Sequence, residues 1–147
     1  MDASRDIQKL RSLVQFTSAR CTQLDGLGGP PKCLQDEGEG TRVDVLPFLG
    51  PEGSFLRKDE IENWQGFEVS GLFAIYAVSS DALSDENYPA GQYAILFVGN
   101  DKQPAISLHI SNGRTVRVDY IFDNSLESLD AILQREAARL ILAPEAR

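Results

Sequence analysis

The only histidine of the chain, His109, sits between Ser107 and Ser111, and Arg117 and Asp119 follow shortly after. Ser, His and Asp are the types that supply a nucleophile, a general base and the group that orients the base. Alternatively, Ser107, His109, Arg117 and Asp119 could contact a small ligand on the polar side of a curved sheet. Which of these readings is open depends on the elements that carry the four residues.

Those elements read as a hairpin. Ile106, Leu108 and Ile110 alternate with Ser107, His109 and Ser111, and Val116, Val118, Tyr120 and Phe122 alternate with Thr115, Arg117 and Asp119. Between them stands Asn112-Gly113, a strong hairpin signal. A two-residue loop would pair Leu108 with Arg117 and lay an apolar side over a polar one. A three-residue loop, Ser111 to Gly113, pairs Leu108 with Val116 and Ile106 with Val118, with Gly113 left-handed beside a bulge. One residue of slip reverses every face, so the apolar match selects the three-residue loop. His109 then faces Thr115, and Asp119 lies four residues further, roughly 13 Å away at ~3.4 Å per residue. That is too far for Asp119 to orient the imidazole. Ser107 lies on a flat strand with no sharp elbow. The expected state is a solvated polar face with no catalytic residue, and the ligand site is the alternative.

Other chemistry is poorly served. Gly26-Leu27-Gly28-Gly29 follows a helical pattern and runs into prolines, so it is no dinucleotide fingerprint. Asp81, Asp85, Glu86 and Asn87 lack the spacing and mid-loop glycine of a calcium loop. Two cysteines with one histidine do not make a zinc site. No cofactor and no metal is expected. Cys21 and Cys33 flank a short Gly/Pro-rich stretch, and both a disulfide and a pair of reduced thiols fit that spacing. If Met1 is the native start, a cytoplasmic protein is expected. If it replaces a removed signal or anchor, the compartment is extracytoplasmic and the bridge is favoured.

The 147 residues carry 22 Asp plus Glu against 14 Lys plus Arg, a net charge of -8. Cationic fields drive binding to nucleic acid and anionic membrane, so neither is an expected partner. No run approaches the ~20 apolar residues of a membrane span. Length and composition suit one domain over residues 1–147.

A first helix is expected over 5–24, on the stripe Ile7, Leu10, Val14, Thr17, Cys21 and Leu24. The acidic stretch 35–41 reads as a solvated loop. A strand follows over 42–49, with Pro47 demoting it to an edge or a bulge. Residues 47–56, with Phe48, Leu49 and Phe55, offer an exposed apolar partner site, or else a loop folded back over that edge. Residues 59–64 suit a short helix that anchors Trp64 in the core. Strands over 68–79 and 93–98 are apolar on both faces. The last helix starts with Asn124 and Glu127 as a capping box, and its apolar face runs from Leu126 to Ile141. Together these predict an α+β domain: an antiparallel meander of about four to six strands with the N- and C-terminal helices packed on one face. The function expected is a non-catalytic, acidic binding or accessory domain that engages a protein partner, a second copy included. The alternative is a ligand-binding or enzymatic domain at the polar face around His109.

Overall fold

The computed structural model describes residues 3–26, 29–50, 53–82, 84–100 and 103–144. Eight strands form one mixed sheet: β1 (Thr17–Arg20), β2 (Arg42–Leu49), β3 (Gly53–Arg57), β4 (Val69–Val78), β5 (Tyr93–Gly99), β6 (Ala105–Ser111), β7 (Arg114–Ile121) and β8 (Ala137–Leu142). Helix α1 spans Ala3–Ser12, α2 spans Leu126–Glu136, and a 3-10 turn covers Lys58–Asn63. The strand order is β1-β2-β7-β6-β5-β4-β8, with β3 also on β2.

The expected meander exists as β4 to β7, but the fold as a whole corrects the sequence reading. Strand β2 joins β7 in parallel, through Phe48–Val118 and Leu49–Asp119. Val45 pairs with both Thr17 and Arg57, and Phe48 with both Ser54 and Val118. Strand β3 therefore holds one edge of β2, while β1 and β7 share the other end to end. Pro47 falls in the gap between those two ladders, where a missing N–H is tolerated.

Two strands were hidden inside expected helices. The first helix stops at Ser12. Gln15 then donates to Thr115 O at 2.9 Å, and Thr115 donates to Leu13 O at 2.9 Å. Residues 17–20 go on to pair with β2. Helix propensities differ by only tenths of a kcal/mol per residue, so ladder bonds and apolar burial override them. At the other end Ser125, not Asn124, caps α2 and accepts from Ser128 N at 3.2 Å. The helix ends at Glu136, and the chain passes straight into β8 along β4.

The helices also lie on opposite faces. Leu129, Ile132 and Leu133 of α2 pack on Ala74, Tyr76, Ala94, Leu96 and Ala105. Leu10 of α1, with Val14 and Trp64, packs on Leu46, Phe48, Ile106, Leu108 and Val118. The central strands are apolar on both sides, so each face requires its own cover. Trp64 occupies the core as expected, edge-on to Phe48 at 5.8 Å.

The cysteine alternatives resolve to a bond: Cys21 and Cys33 form a disulfide. It closes the loop beside a third cluster of Ala19, Val43 and Val45, against which Phe55 packs. Among the described residues no helix is long and apolar enough to cross a membrane.

Candidate functional site

The hairpin turns through Asn112 and Gly113, with φ of 53° and 77°. Both are left-handed, as a two-residue primed turn requires. Ser111 pairs with Arg114 and Ile110 with Thr115, after which β7 carries one extra residue and His109 pairs with Arg117. The expected three-residue loop is therefore replaced by a two-residue turn with a bulge one pair up the ladder. Apolar still meets apolar, Leu108 on Val118, but β7 is displaced by two residues from the expected register.

That displacement builds a site which the sequence reading dismissed. Ser107 now pairs with Asp119 directly, next to the His109–Arg117 pair. Arg117 Nε donates to Asp119 Oδ1 at 2.7 Å, and Nη2 donates to Oδ2 at 2.9 Å. His109 Nδ1 lies 2.6 Å from Ala90 O. A carbonyl can only accept, so Nδ1 carries the proton. Nε2 lies 3.2 Å from Arg117 Nη2 and 3.2 Å from Asp119 Oδ2. Unprotonated, it accepts from the guanidinium; protonated, it donates to the carboxylate. Arg117 Nη1 donates to Tyr88 O at 3.2 Å. The cluster thus receives two carbonyls of the β4–β5 connection, residues 79–92.

The face is not solvated. His109 and Arg117 are 0% exposed and Ser107 is 1% exposed. The Asp119 side chain, at 13%, is the cluster's contact with solvent. Burial pushes the Asp119 carboxyl up. The hydrogen bond and charge of His109, with those of Arg117, outweigh burial and hold it below the usual carboxylate range. Desolvation, with the Glu136 carboxylate second, pushes the Tyr76 phenol far up. The Ser107 hydroxyl faces the Tyr76 phenol and partly offsets that rise, and the buried Tyr88 hydroxyl has no hydrogen-bond partner among the described residues.

Chemically this is a buried ion cluster, not a relay. Both imidazole nitrogens are engaged, neither of them by Ser107, so no base stands against that hydroxyl. Asp119 does border a cleft of about 490 Å³, with Leu49, Tyr120, Ile132, Arg135 and Glu136 on its walls.

The other expected site residues are placed differently. Phe48 is buried, stacked on Tyr120 at 5.7 Å between ring centroids. Leu49 and Phe55 are half-buried, and Phe55 lies against Tyr88 at 5.1 Å. These three form no exposed apolar surface, because β3 folds back on β2 and covers its edge. The acidic loop is not merely solvated either. Glu37 takes Arg57 of β3 at 2.6 and 3.0 Å, and Glu39 Oε1 accepts from Gln23 N at 2.6 Å. Glu37 also lies near both cysteine sulfurs, but these are bonded to each other and offer no thiolate to a metal.

The surface that the sequence reading missed is β8. All of Ala138 to Leu142 is exposed, and among the described residues β8 pairs only with β4. Its signal was present in Ala-Ala-Arg-Leu-Ile-Leu, which has five apolar residues in six and is broader than one helix face requires.

Comparison with family models, with curated proteins and with solved structures gave no match to this chain.

Proposed function

We propose that this chain is a non-catalytic, acidic binding domain that takes a protein partner by strand addition at β8. The observation that carries the reading is an edge strand with exposed Leu140, Ile141 and Leu142 whose outer side pairs with no strand among the described residues. Natural sheets blunt such edges with proline, lysine, bulges or a covering loop. At the other end of this sheet, Arg57 of β3 is bound to Glu37 and to Lys32 O at 2.9 Å, which holds the 32–37 loop beside that strand. Among the described residues no strand or loop covers the outer side of β8, although its ladder with β4 is interrupted by two register shifts. The His109 cluster supports the reading from the other side, since its donors serve to hold residues 88–90.

A photo-crosslinking residue at position 141, in cells that produce the protein, tests this. A discrete adduct from position 141 that is missing from exposed position 134 on α2 supports it. Equal labelling from both positions refutes it.

The cleft beside Asp119 favours a second reading. Its volume lies within the range of small-ligand sites, and Asp119 reaches it. A ligand there would contact Asp119, Arg135 and Glu136 rather than His109. Hits from a thermal-shift screen that stabilise Arg135→Ala as much as the parent would place the ligand elsewhere.

A further inference from the structure

We infer that reduction of the Cys21–Cys33 disulfide turns its loop into a binding site for one thiophilic divalent cation of the zinc class, held by the Cys21 and Cys33 thiolates and the Glu37 carboxylate. This is independent of the reading of β8.

The donors are already assembled. One ligand atom each from Cys21, Cys33 and Glu37 lies within 4.8 Å of the other two. The backbone keeps them there without the S–S bond. Cys21 N donates to Thr41 O at 2.9 Å and Gly40 N to Cys21 O at 2.9 Å. Cys33 N donates to Thr22 O at 2.9 Å and Thr22 N to Pro31 O at 2.8 Å. None of these four bonds involves sulfur, so the two side chains stay neighbours when the disulfide opens. With Zn–S bonds of about 2.3 Å, a tetrahedral site sets its sulfurs about 3.7 Å apart. A Cα separation of 4.9 Å admits that spacing by side-chain rotation.

Glu37 is held as a metal-bound carboxylate is held, by hydrogen bonds from outer partners. Its Oε1 accepts from Leu34 N at 2.8 Å and from Arg57 at 2.6 Å. Its Oε2 accepts from Arg57 at 3.0 Å and keeps a lone pair for a cation. The charges close as well. Two thiolates and one carboxylate carry three negative charges; Arg57 offsets one and a divalent cation the other two. Thiolates select a zinc-class ion over magnesium or calcium. The site is open to solvent: Cys21 borders a cleft of about 580 Å³ with Thr22, Glu39 and Gly40, and Cys33 is half-buried.

Opening proceeds by thiol–disulfide exchange with a dithiol reductant. One of its thiolates attacks the Cys33 sulfur, Cys21 leaves as a thiolate, and the second thiol resolves the mixed disulfide. Two electrons and two protons pass to the chain, and the reductant departs as its own disulfide. The cation then displaces the protons of both cysteines.

The test uses the full chain reduced by a phosphine. Added Co²⁺ should give a thiolate-to-cobalt charge-transfer band that saturates at one equivalent and disappears on addition of Zn²⁺. The oxidised chain should give no band. Competition with a chromophoric chelator should show Zn²⁺ binding weakened at least about 10-fold in Glu37→Gln and unchanged in Asp36→Asn, an exposed neighbouring carboxylate. Zn²⁺ should raise the urea midpoint of the reduced chain alone. No saturable band, or the same band from the oxidised chain, overturns the inference. So does a Glu37→Gln variant that binds as tightly as the parent, because a flexible dithiol would do the same. If reduction abolishes the folded circular dichroism, Zn²⁺ should restore it; a chain that binds Zn²⁺ and stays unfolded also overturns the inference.

Discussion

Asp119→Asn keeps the shape of the site and removes one charge from it. The lost carboxylate takes two hydrogen bonds from Arg117, at 2.7 and 2.9 Å, and faces His109 at 3.2 Å. Each charge-assisted bond contributes about 1.5–3 kcal/mol. Little is regained from rehydration, because the Asp119 side chain is only 13% exposed. The guanidinium left behind is 0% exposed, and breaking a buried pair from one side costs about 3–5 kcal/mol. For a chain of this size that lowers Tm by about 6–20 °C, at roughly 2–4 °C per kcal/mol. Urea unfolding followed by Trp64 fluorescence measures it, because Trp64 lies on the opposite face and reports the whole fold. The double variant Arg117→Met with Asp119→Leu removes both charges and should recover a good part of the loss, since replacing a buried pair by apolar groups is often near neutral. If Asp119→Asn costs less than about 1 kcal/mol, or the double variant is as unstable as the two single losses added, the cluster is hydrated and does not clamp residues 88–90.

Three further outcomes follow from other parts of the molecule. The folded Asp119 carboxyl titrates below its ordinary value of 3.8, so its contribution is full above that pH and is lost as pH falls toward the folded value; an acid-unfolding curve should show this loss in the parent and a flattened limb in Asp119→Asn. Reduction of Cys21–Cys33, with 12 residues of separation, should destabilise by about 3 kcal/mol in the chain-entropy model, read as a urea midpoint with and without reductant. A Cβ at Gly53 would collide with the Tyr88 ring, which is itself packed on Phe55, so Gly53→Ala should cost about 1–3 kcal/mol of overpacking in the same urea assay.

Side-chain alternation made β6 and β7 readable, and with them the rule that apolar residues face apolar residues. Alternation fixes register only modulo two. Beyond the bulge the chosen pairing and the real one differ by two residues, so the faces of Val116 to Asp119 were correct and that of Thr115, which pairs with Ile110, was not; His109 and Asp119 were placed roughly 13 Å apart instead of in contact. The bulge that makes the difference has no side-chain signature, because Thr115 and Val116 are ordinary strand residues. The Asn112–Gly113 turn was legible, but the choice between its two-residue and three-residue forms was not. The helical reading of 13–24 failed because Thr17, Ala19 and Cys21 also alternate at strand period, and Thr17 and Ala19 pair with Val45 and Val43. The helical reading of 137–141 failed because nothing local announces that the edge of β4 is vacant. That both faces of β4 and β5 needed cover could be read from their residues, and it conflicted with placing both helices on one side.

The parallel contact between β2 and β7 spans only Phe48–Val118 and Leu49–Asp119, with the Val14–Thr115 bridge further along β7. Among the described residues, the strands before residue 58 are joined to the meander by main-chain pairing along that narrow seam, which is therefore the sheet's thinnest joint in main-chain hydrogen bonds. Partial opening follows the weakest joint, so the molecule should yield there first, as a hinge between two half-sheets. Asp119 sits on the hinge line through its pairing with Leu49, while its partners Arg117 and His109 both lie on the meander side and stiffen that half alone.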